Sequence, residues 1–355
     1  MGTLAFYFLL IIICAAMAER AAQYGKKRWL LAAIILLSVV AGCRAASVGT
    51  DTSRVMAALY YDMGRDVFAH SKDYLYYFLC KVLMQIWANP SFVLTVFALI
   101  TNGAALLRLW DFAGKFSMFF AVCLYGLFYF GTSMNIVRQM MAVTLVFYFS
   151  RNLFKQKYIQ FYLGAMMAFF IHISACIAIM LLPVFLLYFD SPGAKRIRLS
   201  RGCIAFFSTI GAVLLVSFLS GQYDDYLEFS GIHIGLMQPV TLCVLLAVYF
   251  VYLASHGGGM TAEQENFLQG DIRFFFLLSL IGYCLSLAGY VMADMGRFSY
   301  YFKIFEIVFY GMVLKQNHVD PAAKVIMIIL LFLLGMYTLY TYGGMIPYHF
   351  VWQNN

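Results

Sequence analysis

Charge is what this sequence has least of. Asp, Glu, Lys and Arg make up 11% of its 355 residues, against about 25% in an ordinary soluble domain. Hydrophobic residues make up 64%. A water-soluble fold of this length has nowhere to hide so much apolar surface, because much of any folded surface must face water. Soluble globular, disordered, collagenous and nucleic-acid-binding classes are excluded, so no nucleic-acid partner is expected. Metal motifs are also missing. There is no HExxH, and the six histidines are scattered. The cysteines at 14, 43, 80, 123, 176, 203, 243 and 284 never fall as CxxC, and each lies within or at the end of an apolar stretch. They read as small buried hydrophobes, neither disulfides nor metal ligands. No metal site and no cofactor is expected. A Pro/Gly/Ser-rich linker, a repeat of fixed period and a soluble-type nucleophile elbow are all absent. Gly257–Gly259 lacks the Lys-Ser/Thr of a phosphate loop and reads as a turn.

Long apolar runs without strict alternation are what remains, and they predict helices, not a barrel. The expected fold is all-α: one polytopic helical membrane domain over residues 1–355. Spans are expected near 1–18, 29–47, 91–107, 116–132, 139–151, 158–171, 175–189, 203–219, 238–255, 274–292, 298–314 and 325–342. That is roughly twelve transmembrane helices, plus a short re-entrant or interfacial helix at 74–88. The first run has basic residues behind it and none in front, the reverse of a signal peptide, so a retained helix with its N-terminus outside is expected. The loops assigned to the inner side hold 16 of the 24 Lys and Arg, all but a few in short loops, where the positive-inside bias is strongest. Parity also divides 158–189. A single span would place Lys195–Arg201 and Lys155/Lys157 on opposite sides. Two short spans meeting near 171–174 keep both clusters inside.

The other eight basic residues are Arg44, Arg54, Arg65, Lys72, Lys81, Arg138, Arg297 and Lys303. All fall on the expected outer side, against the bias. Charges in a membrane are costly and are kept where they face a cavity or partner. Arg44 stands just before Gly49-Thr-Asp51. Arg138 lies in the polar island Thr132-Ser-Met-Asn-Ile-Val-Arg-Gln139. His172 sits where the two short spans meet, and Arg297 follows Asp294. Lys303 and Glu306, three apart on a helix, read first as a structural pair. Arginines with a carboxylate and an imidazole suit an anionic leaving group, because guanidinium supplies charge neutralisation and forked contacts to phosphate.

These residues together resemble the EpsG family of Wzy-like bacterial polysaccharide polymerases. Arg44 with Val48-Gly-Thr-Asp51 resembles the family's Arg-x-x-x-Gly-Thr-Asp region. Asn135-Ile-Val-Arg-Gln139 resembles its Asn-x-x-Arg-Gln segment, and Phe169-Phe-Ile-His-Ile-Ser174 its Phe-His-x-Ser/Thr segment. Arg297-Phe-Ser-Tyr-Tyr-Phe302 resembles its Arg-x-x-x-Tyr-Phe segment, and Pro347-Tyr348 its C-terminal Pro-Tyr. The chain departs from the pattern at Thr52, where the family often has an aromatic residue, and at Asp73, where it often has Glu.

The resemblance implies a GT-C-like membrane glycosyltransferase in the bacterial cytoplasmic (inner) membrane, its site facing the periplasm or exterior. The donor would be an oligosaccharide on undecaprenyl pyrophosphate and the acceptor another lipid-linked repeat unit. A flippase and a chain-length regulator are candidate partners, alongside membrane lipid. Arg44, Arg138 and Arg297 are the candidate pyrophosphate-binding residues. Asp51 is the preferred base, with His172 second or contacting phosphate. Asn135, Gln139, Tyr300 and Tyr301 are candidate substrate contacts, and the outer segments 48–73 and 220–237 candidate substrate-binding loops. Two rival readings stay open, a lipid-linked-glycan flippase and a related O-antigen ligase.

Overall fold

The computed structural model describes residues 2–50, 52–61, 73–189, 235–255, 262–290, 293–341 and 345–353. Among them the chain is helical with no strand. An isolated antiparallel bridge joins Arg44 to Phe350. Among the described residues, five helices are long and apolar enough to cross a membrane: Gly2–Tyr24, Pro90–Trp110, Met118–Asn135, Met237–Ala254 and Pro321–Thr341. Shorter apolar helices run over Arg28–Gly42, Tyr74–Ile86, Tyr158–Ile171, Ile173–Tyr188 and Ile272–Ala288. The expected span 203–219, most of the candidate loop 220–237 and residues 62–72 of the other loop lie outside the described residues.

Two compact units divide the chain. The first comprises Met1–Tyr148, Phe170–Ile173 and Val325–Asn355; the second comprises Phe149–Phe169 and Ser174–Lys324. In the first, α1 (Gly2–Tyr24) packs on α2 (Arg28–Gly42), and α2 packs on α5 (Pro90–Trp110). Between them in sequence lie α3 (Thr52–Tyr61) and α4 (Tyr74–Ile86). The α5 start is written locally: Asn89 accepts the Ser91 N–H at 2.9 Å and Pro90 takes the first helical position, where its missing N–H costs nothing. Next, α6 (Met118–Tyr125) passes through a π turn (Gly126–Phe130) into α7 (Gly131–Asn135). Glu19 of α1 accepts the Phe119 N–H at 2.8 Å and the Ser117 hydroxyl at 3.0 Å, capping the α6 start.

In lipid, helices gain little from hiding apolar surface against one another, so close packing depends on small residues and shared polar contacts. Both occur here. A Cβ on Gly42 would lie 2.5 Å from the Thr95 Cα, and one on Gly126 would lie 2.6 Å from Ile11 Cγ1. Asn102 of α5 donates to Ser38 of α2 at 3.1 Å and accepts from Tyr125 of α6 at 2.8 Å. A buried polar chain therefore ties three helices together.

The C-terminal segment closes on the same unit. Ala45 donates to the His349 carbonyl at 2.8 Å and Val351 to the Cys43 carbonyl at 2.9 Å. The Tyr348 hydroxyl donates to the Val40 carbonyl at 2.6 Å, satisfying one of the orphan carbonyls at the α2 end.

In the second unit, Phe154, Phe185, Phe189 and Phe274 form an aromatic cluster with ring centroids 4.7–6.0 Å apart. The Phe149 ring fills the space a side chain at Gly164 would need. Residues 158–189 do break at His172, between a helix ending at Ile171 and a 3₁₀ turn starting at Ile173. The expected continuous helix 298–314 is interrupted: it runs as Tyr300–Lys303 and Glu306–Lys315.

Candidate functional site

Two helix breaks and one helix start build the polar centre of the first unit. Helix α7 stops at Asn135, because Ile136 leaves helical geometry at φ −101°, ψ 62°. Helix α8 (Val137–Phe149) resumes immediately, which sets Arg138 in its first turn. The N–H groups at a helix start favour anions nearby, so Arg138 needs a counter-charge of its own. Asp73, the residue before α4, provides it. Its Oδ2 accepts from Arg138 Nη1 at 2.7 Å. Its Oδ1 accepts the Ile173 N–H at 3.2 Å. One carboxylate therefore holds both Arg138 and the amide that follows His172. Tyr77 also meets Arg138 Nη1 at 3.3 Å. The Tyr76 and Tyr77 rings lie 5.6 and 5.9 Å from the guanidinium carbon, within cation–π range.

Exposure separates the members of this pair. The Asp73 side chain is 8% exposed and the Arg138 side chain 39%. Burial raises the Asp73 carboxyl above the usual carboxylate range, against the opposing pull of the Arg138 charge and the Ile173 amide. His172 is half-buried.

Arg44 is placed differently. It is 1% exposed. Its Nε donates to Thr52 Oγ1 at 3.0 Å, its Nη2 to the Met134 carbonyl at 2.9 Å and its Nη1 to the Ala41 carbonyl. Those bonds join the end of α2, the start of α3 and the end of α7. Asn135 completes the joint by accepting the Thr50 N–H at 2.8 Å. Gly49 fits here for two reasons: its φ is +90°, and a Cβ would lie 2.8 Å from Asn135 Oδ1 and 2.9 Å from Thr52 Oγ1. The Gly-Thr after Arg44 is thus a turn seated on Asn135. Asp51, the preferred base, lies outside the described residues.

The remaining candidates fall as follows. Gln139 is buried on α8. Arg297, Tyr300 and Tyr301 belong to the second unit. There Arg297 is exposed, Tyr300 half-buried and Tyr301 fully buried, its hydroxyl 2.9 Å from Ser174 Oγ. The Asp294 side chain lies outside what is described. Lys303 and Glu306 meet a wider network than the expected pair. Lys303 Nζ donates to Gln238 Oε1 at 2.8 Å and sits 4.4 Å from the Tyr283 ring centroid, while the Tyr283 hydroxyl donates to Glu306 Oε2 at 2.6 Å.

Asp73 is not among the candidate site residues read from the sequence. The signal was present in its position, an acid immediately before the tyrosine-rich start of α4. Its partner Arg138 lies too far along the chain for spacing to reveal it. Among the described residues, no three His, Cys, Asp or Glu gather as a metal site.

The family model described as EpsG family matches residues 27–350, nearly the whole chain. No curated protein and no solved structure matches.

Proposed function

The chain belongs to the EpsG family, whose members are Wzy-like polysaccharide polymerases, and from that premise we propose the reaction it performs. It transfers a glycan from undecaprenyl pyrophosphate to the non-reducing end of another lipid-linked repeat unit. The transfer takes place on the outer face of the bacterial cytoplasmic membrane, within a GT-C-like helical fold. The acceptor oxygen forms a bond to the donor's anomeric carbon as the bond from that carbon to phosphate oxygen breaks. The acceptor's hydroxyl proton passes to a base, Asp51 or His172. Undecaprenyl pyrophosphate leaves with the bonding electrons.

Arg138 is the observation that carries this reading. It is an arginine just after a helix break, its guanidinium bonded to a buried carboxylate while its side chain stays 39% exposed, in the same unit as His172. Leaving-group departure loads negative charge onto phosphate oxygens. A guanidinium already oriented there favours the transition state over the ground state, which is what raises rate. Arg44, sealed in its own bonds, supports the chain turn that presents Asn135. Arg297 is a second phosphate candidate, to be tested by its own variant. Tyr300 is a candidate sugar contact.

Purified protein in a lipid nanodisc, supplied only with undecaprenyl-pyrophosphate-linked repeat units, tests the reaction. The expected result is a product ladder that disappears on Arg138→Ala in folded protein. Transfer only to an added non-repeat acceptor would replace polymerase with ligase. Transbilayer movement of intact lipid without new bonds would replace it with flippase.

A further inference from the structure

The strongest unassigned feature is the carboxylate that joins Arg138 to the His172 segment. Of the chain from Phe149 to Lys324, only Phe170–Ile173 belongs to the first unit, and Asp73 Oδ1 accepts the backbone N–H of Ile173 within that piece. Its Oδ2 takes Arg138 Nη1 at 2.7 Å. We propose that Asp73 is a positioning residue, which orients Arg138 toward the phosphate leaving group and holds the His172 turn in register with it.

Two roles compete for this carboxylate, and exposure decides between them. A proton acceptor must reach the substrate hydroxyl, yet Asp73 is the buried partner, at 8%, and spends each oxygen on a protein donor. Arg138 is the partner with an open face, at 39%. A long flexible guanidinium side chain loses much rotamer freedom when fixed. Fixing it in advance, by a carboxylate and two tyrosines, spares that loss at the moment of reaction. The same carboxylate couples a helix start near residue 138 to a turn near residue 172. Both groups then shift together if it is removed.

The inference rests on the polymerase reading, and a double-mutant cycle in nanodiscs tests it. Asp73→Ala is expected to lower the polymerisation rate about tenfold to a hundredfold, the scale of a misplaced reacting group. The Asp73→Ala/Arg138→Ala double variant is expected to be no slower than Arg138→Ala alone, because Asp73 acts through Arg138. Asp73→Asn keeps an acceptor for Ile173 but loses the charge, and Asp73→Glu keeps the charge on a longer stem. Partial rescue by either, at unchanged thermal midpoint, is expected. A double variant slowed by the product of the two single losses would overturn the proposal, as would an Asp73→Ala protein of wild-type rate.

A second readout is independent of polymerisation. Phenylglyoxal modifies arginine side chains, and mass spectrometry reads its extent at Arg138. Inorganic pyrophosphate is expected to shield Arg138 in the wild type and to shield it much less in Asp73→Ala and Asp73→Asn. If the wild type makes no polymer but this difference persists, the polymerase reading fails and the positioning role stands. Equal shielding in all variants, or none in the wild type, would overturn the positioning role.

Discussion

Two polar clusters inside an apolar chain make a useful contrast. In the first unit, Asp73 is buried and Arg138 half open. In the second, Lys303 is 9% exposed, Glu306 3% and Tyr283 2%, and Gln238 completes the set. Both clusters pay to desolvate charge. One leaves an arginine side chain 39% exposed at a helix break; the other leaves only buried bonds between helices. The Arg138 side chain keeps an open side, whereas the Lys303 cluster is closed on its described sides. Intramembrane charge alone does not mark a site; its geometry does.

Variants sharpen that contrast, beginning with the largest effect. Arg138→Ala is expected to slow polymerisation per folded molecule about a hundredfold to a thousandfold, ~3–4 kcal/mol of transition-state stabilisation, and also to lower the thermal midpoint, because the buried Asp73 carboxylate loses its counter-charge. A wild-type rate per folded molecule would place Arg138 with the packing charges. Glu306→Ala is expected to affect stability alone. It strands the Tyr283 hydroxyl, which donates to Glu306 at 2.6 Å, and lowers stability by about 2–3 kcal/mol, with folded molecules retaining their rate. Thermal unfolding in detergent, with the rate normalised to folded protein, separates the two outcomes. Gly282→Ala is a milder probe of the closed cluster, since a Cβ there would lie 2.6 Å from the Lys303 backbone nitrogen. Overpacking of that kind costs about 1–3 kcal/mol, again read as a lower midpoint at unchanged rate.

The smallest effect is in pH. Burial raises the Asp73 carboxyl above its ordinary range. It therefore takes up its proton, and loosens its hold on Arg138, at a higher pH than a solvent-exposed carboxyl would. The rate is expected to fall on acidification through that raised value, and Asp73→Asn is expected to be flat over the same window. Stability moves the other way. A carboxyl raised in the fold binds more protons folded than unfolded, so through this group stability rises as pH falls. Arg138, Tyr76, Tyr77 and His172 share the neighbourhood, and the Asn variant isolates the Asp73 part. An identical acid limb in both proteins would assign it elsewhere.

Much of the architecture was readable from the residues. The break near His172 follows from the parity of the basic residues flanking 158–189, and the start of α5 at Asn89–Pro90 from local capping chemistry. Arg138 stood out as an arginine in a polar island on the side where basic residues are scarce. Its partner did not stand out. Arg44 before Gly49-Thr-Asp51 suggested an anion-binding arginine beside a carboxylate; its bonds to carbonyls and a threonine were not legible. Tyr348 was visible as part of a C-terminal Pro-Tyr; its bond to the α2 carbonyl end was not.

The sequence by itself determined the apolar surroundings, the helical class and the stops at Asn89–Pro90 and near His172, though not the break within 298–314, and its near full-length match determined the family. Apolar run length and capping chemistry act over a few residues and need no knowledge of the rest of the chain. Only the tertiary structure decided which buried polar groups face which. Asp73 meets Arg138 65 residues away and Ile173 100 residues away, and Arg44 meets Met134 90 residues away. A buried charge must find a partner wherever the fold brings one. That partner is set by packing in three dimensions, which leaves no local mark in the chain.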